Sequence, residues 1–289
     1  MRALLLSEKA KEIQTVNFRK VFFLVLFAQL VIVSFGYGQQ VQLYTSESPP
    51  TEFYDEKKEL DGFSVDVARE LQRRVGNSKP IKLLPWKRAY QYGLESPNVG
   101  LFTASRNKER EDKFHWIIHL TTRKSAFYAH KDKDDLNQSK FQNASLEEFK
   151  SAYTIGVVRE GNREKYLIDH GYTNFESVNT EVINIKKLLR GRIDLVFLSS
   201  IEASSLLKNF GLSSNTIVPI FTVYQNDSYI MISKSTPLAT VEKWQRVAEE
   251  MKNDGTFEKI VKKWQNYLFN TYHLETEYRN RALCFFKDE

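Results

Sequence analysis

The chain has a single cysteine, Cys284, among its 289 residues. One cysteine excludes a disulfide framework within the chain and any zinc site built on several cysteines. The sequence also lacks internal repeats and low-complexity tracts, and 42% of its residues are hydrophobic and 27% charged. This composition is typical of a globular protein and excludes a disordered chain, a collagen-like repeat and a multi-span membrane protein.

Signatures of catalysis are missing as well. The sequence contains no G-x-S-x-G, no H-E-x-x-H, no G-x-x-x-x-G-K-[ST] and no G-x-G-x-x-G. His115 and His119 are four residues apart, but their apolar surroundings favour a strand, on which this spacing separates them by about 13 Å. We therefore expect no catalytic residue, no metal site and no cofactor.

The first 38 residues differ from the rest. Arg19 and Lys20 precede an apolar run from 21 to 35, which ends in small residues up to Gly38. A run of this length is shorter than the roughly 20 residues that span a bilayer, and the pattern is typical of a secretory signal peptide. We predict a cleavable signal over 1–38 and a periplasmic protein, with an uncleaved membrane anchor as the alternative.

Export changes the charge argument. Five basic and two acidic residues lie in 1–38, so residues 39–289 carry a formal charge of only +3. Nucleic-acid binding requires a clustered basic face, which this sequence does not have. No cysteine follows the predicted signal directly, which favours a soluble exported protein over a lipid-anchored one.

Apolar patterns with strand and helix periodicity alternate after residue 40. Predicted strands are Val41–Thr45, Ile81–Leu84, Val99–Thr103, Ser125–His130, Thr154–Val158, Phe175–Val178, Asp194–Leu198, Thr216–Ile220 and Ser228–Ser233. Predicted helices are Ser64–Val75, Trp86–Leu94, Asn162–His170, Glu181–Arg190, Ile201–Phe210, Pro237–Lys252 and Thr256–Tyr267. The polar stretch 131–143 divides them into two units, so we predict two α/β lobes with parallel sheets. Ligands of such sheets bind beyond the carboxyl ends of the strands, and clefts form between lobes.

Hydroxyls and arginines follow the predicted strand Val99–Thr103. Thr103 and Ser105 lie beside Arg106 and Arg110, where a parallel sheet presents its ligand-binding edge. A guanidinium with neighbouring hydroxyls is suited to a small carboxylate, because bidentate pairing is directional and charge-assisted. The run also has the composition of a solvated surface, so both interpretations stay open here.

Two aromatic residues follow the preceding predicted strand. Trp86 and Tyr90 are spaced to share one face of the next helix. They can supply an apolar or cation–π wall to a ligand, or simply pack in the core.

Five segments resemble a known family when taken in order. They are SESPPTEFYDEKKELDGFSVDVARELQRRVG (46–76), LPWKRAYQYGLESPNVGLFTASRNKEREDKFHW (84–116), IGVVREGN (155–162), LLRGRIDLVFLSS (188–200) and NDGTFEKIVKKW (253–264). The chain is similar in these segments to the bacterial extracellular solute-binding proteins of family 3, the polar amino-acid-binding components of ABC transporters. The resemblance extends over nearly all of 41–267.

The resemblance implies a fold and a domain division. The expected fold is α/β, the type II two-lobe periplasmic-binding-protein fold, in which each lobe is a mixed, mainly parallel sheet covered by helices. Lobe one is expected to contain residues 39–128 and 224–289, and lobe two residues 129–223. Two crossing strands form the hinge of the cleft between them.

The resemblance also implies the roles of site residues. Arg110 occupies the position of the arginine that binds the ligand α-carboxylate, and Thr103 and Ser105 complete that contact. Trp86 occupies the position of an aromatic residue that stacks on the ligand. Two further residues lie in the lobe-two loop that contacts the carboxylate at a helix N-terminus, namely Asn162 and Arg163.

One position departs from the family pattern. Ser199 stands where amino-acid binders of the family usually have the aspartate that holds the ligand ammonium, and a hydroxyl cannot replace that charge in a closed cleft. Arg163 adds positive charge to the same cleft. We therefore expect a ligand with more anionic character or without a free α-ammonium, unless Glu47 receives a cation instead.

The predicted function is capture of a small polar carboxylate or amino-acid-like ligand by lobe closure, for ABC-type uptake or for sensing. Expected partners are the small ligand and an ABC permease or membrane sensor, with no nucleic acid, and the protein is expected to be a monomer. One alternative is a dehydratase-like lyase on the same scaffold, with Glu47 and Glu160 as acid and base. A second alternative is a ligand-sensing domain of a signalling protein.

Overall fold

The computed structural model describes residues 40–131, 141 and 143–287. The predicted signal peptide, 1–38, lies outside the described residues. Within the part of the chain that is described, every helix is too short or too polar to cross a membrane.

Strands and helices alternate along the chain much as the sequence predicts. The strands are β1 Gln42–Thr45, β2 Phe53–Tyr54, β3 Leu60–Asp61, β4 Lys82–Leu83, β5 Val99–Ser105, β6 Phe114–His130, β7 Ile155–Val158, β8 Phe175–Val178, β9 Leu195–Ser199, β10 Ile217–Ser233, β11 Glu277–Arg279 and β12 Ala282–Cys284. The helices are α1 Phe63–Val75, α2 Trp86–Glu95, α3 Leu146–Ser151, α4 Asn162–Asp169, α5 Glu181–Leu188, α6 Ser200–Asn209, α7 Leu238–Asn253 and α8 Thr256–Tyr272. The α/β class is confirmed.

One ten-stranded sheet runs through both halves of the molecule. Its order is β4-β1-β5-β10-β6-β9-β7-β8, with β12 beside β6 and β11 beside β12. β1 pairs in parallel with β4 and β5, and β7 pairs in parallel with β8 and β9. Between these two parallel regions, β6 and β10 form a long antiparallel ribbon of 17 residues each. We call the β4-β1-β5 region lobe one, the β9-β7-β8 region lobe two, and the β6–β10 pair the crossing ribbon.

The crossing ribbon is longer than the sequence predicts. The pattern indicated a strand at Ser125–His130 and two separate strands at Thr216–Ile220 and Ser228–Ser233, whereas β6 and β10 are continuous. Polar residues at 121–125 lie opposite polar residues at 224–228, which interrupts the apolar pattern. The backbone groups of these residues still pair across the ribbon, so the strand needs no apolar side chains there.

The two strands of the ribbon pair with different lobes. β10 pairs with β5 of lobe one through Ser228–Ile232, and β6 pairs with β9 of lobe two through Ser125–Tyr128. The pairing of β6 with lobe two therefore begins at Ser125, three residues before the predicted domain boundary at 128. The division itself, 39–128 plus 224–289 against 129–223, stays a prediction.

Residues 277–287 of the C-terminal tail form part of lobe one. Strands β11 and β12 make a hairpin, and β12 lies parallel to β6 through Leu283 and Cys284. Phe285 is fully buried in the lobe-one core, and its backbone N–H donates a hydrogen bond to the carbonyl oxygen of Thr122 at 2.9 Å. The hairpin therefore covers the edge that β6 would otherwise expose near the crossing point.

Candidate functional site

A cavity of about 490 Å³ lies between the two lobes and against the crossing ribbon. Polar and charged residues line most of it: Ser46, Ser48, Glu52, Thr103, Ser105, Arg110, Arg123, Ser125, Asn162, Arg163, Glu181, Ser199, Glu202, Tyr224, Asn226 and Ser228. Three of these are arginines and three are glutamates. The volume is in the range of small-molecule sites, and the lining is suited to a polar, charged ligand.

The structure brings together seven of the eight residues that the sequence singled out as ligand contacts. Those seven are Trp86, Thr103, Ser105, Arg110, Asn162, Arg163 and Ser199. The eighth, Glu47, is exposed and does not line the cavity. Glu160, which the enzyme alternative requires, is likewise exposed and outside the lining. Contact of these residues with a ligand stays a prediction.

Arg110 is held in place by its own loop and by two aromatic rings. Its Nη1 donates a hydrogen bond to the carbonyl oxygen of Ser105 at 3.1 Å. Its guanidinium carbon lies 5.3 Å from the ring centre of Trp86 and 5.2 Å from that of Tyr90, both on α2. Cation–π contacts of this kind fix the plane of the guanidinium. Trp86 therefore orients Arg110 and also lines the cavity, whereas the sequence left open a wall for the ligand or packing in the core.

Glu52 is the acidic group that lobe one presents to the cavity. Its side chain is buried, and its Oε1 accepts a hydrogen bond from the hydroxyl of Thr103. Thr103 has a φ of 56°, a left-handed backbone conformation that β-branched residues rarely adopt. With this backbone, its hydroxyl also lies 2.9 Å from the hydroxyl of Ser64 at the start of α1. Burial raises the pKa of Glu52 to about 7, although the neighbouring hydroxyls of Thr103 and Ser64 and the charge of Arg123 oppose that rise.

Arg123 lies on β6 within the crossing ribbon. Its Nη2 donates a hydrogen bond to the hydroxyl of Thr51 at 3.0 Å, and its guanidinium carbon lies 5.0 Å from the ring centre of Phe285. Burial lowers its pKa, while the neighbouring charges of Glu52 and Glu202 act in the opposite direction. A guanidinium stays protonated in proteins, so Arg123 places a fixed positive charge beside the hinge.

Arg163 is ion-paired within lobe two. It lies in the first turn of α4, and its Nη2 donates a hydrogen bond to Glu202 on α6. Its Nη1 is 3.6 Å from Oε1 of Glu181 on α5. Two carboxylates thus compensate the charge of Arg163. This pairing removes one of the two reasons for which the sequence favoured an anionic ligand, namely the added positive charge of Arg163.

Ser199 ends β9 and caps α6. Its backbone N–H donates a hydrogen bond to Oε2 of Glu202 at 2.9 Å, and its hydroxyl donates to the same oxygen. Burial opposes ionisation of Glu202, but Arg163 and the hydrogen bonds from Ser199 outweigh burial, so the pKa of Glu202 lies below its usual range. The cavity therefore has a carboxylate three residues after Ser199, and that carboxylate is ion-paired with Arg163. In contrast, burial raises the pKa of Glu181.

We expect Glu202→Ala to destabilise the ligand-free protein. The change removes the side-chain half of the α6 capping box and one ion pair of Arg163, at a cost of about 1–2 kcal/mol. Urea unfolding measures this loss. Glu242→Ala, on the exposed face of α7, is the matched control and should change stability by less than about 0.5 kcal/mol. Equal stability of the two variants would contradict the assigned cap.

No group of three or more His, Cys, Asp or Glu side chains among the described residues is arranged to hold a metal ion. His115 and His119 have other contacts. Nε2 of His115 lies 3.2 Å from the carbonyl oxygen of Lys234, and Nε2 of His119 lies 3.5 Å from a carboxylate oxygen of Asp227.

Comparisons with known proteins agree with this architecture. The family model of the bacterial extracellular solute-binding proteins, family 3, matches residues 41–267. The L-cystine-binding protein TcyA of Bacillus subtilis (strain 168) is 25% identical over 217 residues, which cover 74% of this chain and 76% of the relative.

Two solved structures show the likeness of fold. A histidine kinase sensor domain with similarity to periplasmic binding proteins has a TM-score of 0.60 at 16% identity, over 78% of this chain and 96% of that one. The P235GK mutant of ArgBP from T. maritima has a TM-score of 0.57 at 20% identity, over 78% of this chain and 94% of that one. The predicted periplasmic-binding-protein fold is confirmed.

Proposed function

Since the chain belongs to family 3 of the bacterial extracellular solute-binding proteins, we propose that it captures a small amino-acid-like carboxylate between its lobes and delivers it to an ABC-type permease. The observation that carries this proposal is the setting of Arg110. Its guanidinium faces the cavity, and its Nε is buried without a hydrogen-bond partner among the described residues. A ligand carboxylate would satisfy that donor through charge-assisted hydrogen bonds.

Closure around the ligand is part of the proposal. The cavity is lined from lobe one, from lobe two and from the crossing ribbon, so a ligand that contacts all three favours the closed arrangement over the open one. The ribbon is the connection about which the lobes bend. We infer further that the protein acts as a monomer in the periplasm after removal of the signal peptide, without catalysis.

Sensing is the second candidate function. The fold likeness to a histidine kinase sensor domain supports it. Uptake of a radiolabelled ligand separates the two candidates. Loss of uptake on deletion of the gene, restored by the wild-type gene, supports transport, whereas unchanged uptake supports sensing.

A thermal-shift panel tests the proposed ligand class. TcyA is named for L-cystine, and similar solved structures are titled as an ancestral arginine-binding protein bound to arginine or to glutamine and as a complex with lysine. These four amino acids and the dicarboxylate succinate form the panel. A ligand at 100 times its dissociation constant stabilises the folded state by about 2.7 kcal/mol, a shift of about 5–10 °C for a protein of this size. An unchanged melting temperature with all five compounds would contradict the proposal.

A further inference from the structure

Glu52 is a buried carboxyl that lines the ligand cavity and is only partly hydrogen-bonded. None of its surface is exposed, yet it belongs to the cavity lining. Thr103 donates to its Oε1, whereas its Oε2 has no hydrogen-bond partner among the described residues. A buried carboxylate oxygen without a partner is costly, so this arrangement is expected only where something outside the chain completes it.

The backbone fixes Glu52 in this position. The preceding loop lies across the start of α1, where the N–H of Ser64 donates a hydrogen bond to the carbonyl oxygen of Thr51 at 3.1 Å. Gly62 permits this close approach, because its φ is 134° and a Cβ there would lie 2.1 Å from that oxygen. The Glu52 carboxyl therefore cannot turn to solvent without displacing the loop from the helix.

The other two acidic residues of the cavity already have cationic partners. Arg163 is paired with both Glu181 and Glu202. The charge of Arg123 on β6 acts to lower the pKa of Glu52. The Nη2 of Arg123 donates its hydrogen bond to Thr51, however, and no hydrogen bond joins Arg123 to Glu52. Among the described lining residues, Glu52 is thus the fully buried acid with a carboxylate oxygen that no hydrogen bond satisfies.

We propose that Glu52 accepts a hydrogen bond from an ammonium or guanidinium group of the ligand whose carboxylate lies on Arg110. This inference rests on the proposed function and specifies the second end of the ligand. It assigns to Glu52 the cation-binding role that the sequence suggested for Glu47.

The affinity for a cationic ligand should depend on pH through the ionisation of Glu52. Arg123 on β6 is the charged group that acts on Glu52. The polar groups around the Glu52 carboxyl are the hydroxyls of Thr51 in the same loop, Ser64 on α1 and Thr103 on β5. With a pKa of about 7, the carboxyl is ionised in about one molecule in ten at pH 6 and in about nine in ten at pH 8. Affinity for a cationic ligand should therefore rise about tenfold from pH 6 to pH 8, because only the ionised fraction is competent to bind it.

Calorimetric titration tests the proposal with L-arginine, L-lysine and L-cystine as probes and succinate as the probe without a cation. At pH 7, in phosphate and in Tris, the wild-type enthalpies should differ by an amount that corresponds to release of about half a proton per bound amino acid, since about half of the Glu52 carboxyls are protonated at that pH. Glu52→Gln should abolish this difference and weaken amino-acid binding about 10- to 100-fold. Glu56→Gln, an equivalent change at an exposed residue of the following turn, should retain both properties.

The outcomes distinguish failure of the Glu52 inference from failure of the proposed function. Wild-type binding of an amino acid that is unchanged in Glu52→Gln contradicts this inference alone. Identical wild-type enthalpies in the two buffers also contradict it, and this measurement does not depend on any variant. Absence of binding by every probe contradicts the proposed function and this inference with it. Tight binding of succinate that exceeds binding of all three amino acids overturns the assigned cation while the carboxylate site of Arg110 stands.

Discussion

Arg110→Ala is expected to abolish most of the ligand-induced rise in melting temperature. Removing one partner of a buried, hydrogen-bonded charge pair costs about 2–5 kcal/mol, which corresponds to a loss of affinity of about 30-fold to about 4,000-fold. The physical reason is that the ligand carboxylate would enter the cavity without its bidentate donor. Arg110→Lys keeps the charge but loses the planar guanidinium held by Trp86 and Tyr90, so its affinity should lie between those of the wild type and the alanine variant.

The neighbouring Arg106 provides the matched control. It pairs with Glu111, lies over the rings of Trp116 and Tyr229, and does not line the cavity. Arg106→Ala should therefore bind ligand like the wild type. If both alanine variants show the full ligand-induced shift, the carboxylate does not bind at Arg110.

Phe285→Ala is expected to have the largest effect on stability. Phe285 is fully buried in the lobe-one core, and the tail that carries it adds β12 to the sheet beside β6. Truncation of a buried phenylalanine costs about 3–5 kcal/mol because it removes apolar contacts and leaves a cavity, which lowers the melting temperature by about 10 °C in a protein of this size. The ring also lies under Arg123, so the truncation loosens one wall of the ligand cavity.

Phe269→Ala is the control for this change. Phe269 lies on α8 with 54% of its surface exposed, and its truncation should change the melting temperature by no more than about 2 °C. Differential scanning calorimetry of the ligand-free protein gives both values. A melting temperature of Phe285→Ala equal to that of Phe269→Ala would show that the tail is not part of the lobe-one core.

The sequence predicted those features that depend on neighbouring residues in the chain. The alternation of strands and helices, and the hydroxyls of Thr103 and Ser105 followed by Arg110, lie in one continuous stretch each. A parallel sheet places such a stretch at its ligand-binding edge by topology alone. Asn162 and Arg163 of lobe two were predicted from the family resemblance, and they follow β7 after three intervening residues.

The remaining site residues depend on contacts between distant parts of the chain. Glu52 and Glu47 are five residues apart in one loop, and only the packing of that loop on α1 decides which carboxyl faces the cavity. Arg123 lies in the middle of a strand, where a charged residue is a detectable signal, but its orientation follows from the register of β6 against β10. Glu202 is a capping residue in its local sequence, and its role in the cavity arises only when α4 brings Arg163 against it.

A crystal structure of the protein with its strongest-binding amino acid of the panel tests the central claim most directly. We expect closed lobes, with the ligand carboxylate about 2.7–2.9 Å from the Arg110 guanidinium nitrogens and the cationic end of the ligand on Glu52. A ligand bound outside the cavity between the lobes, or an Arg110 side chain that faces bulk water in the complex, would contradict it.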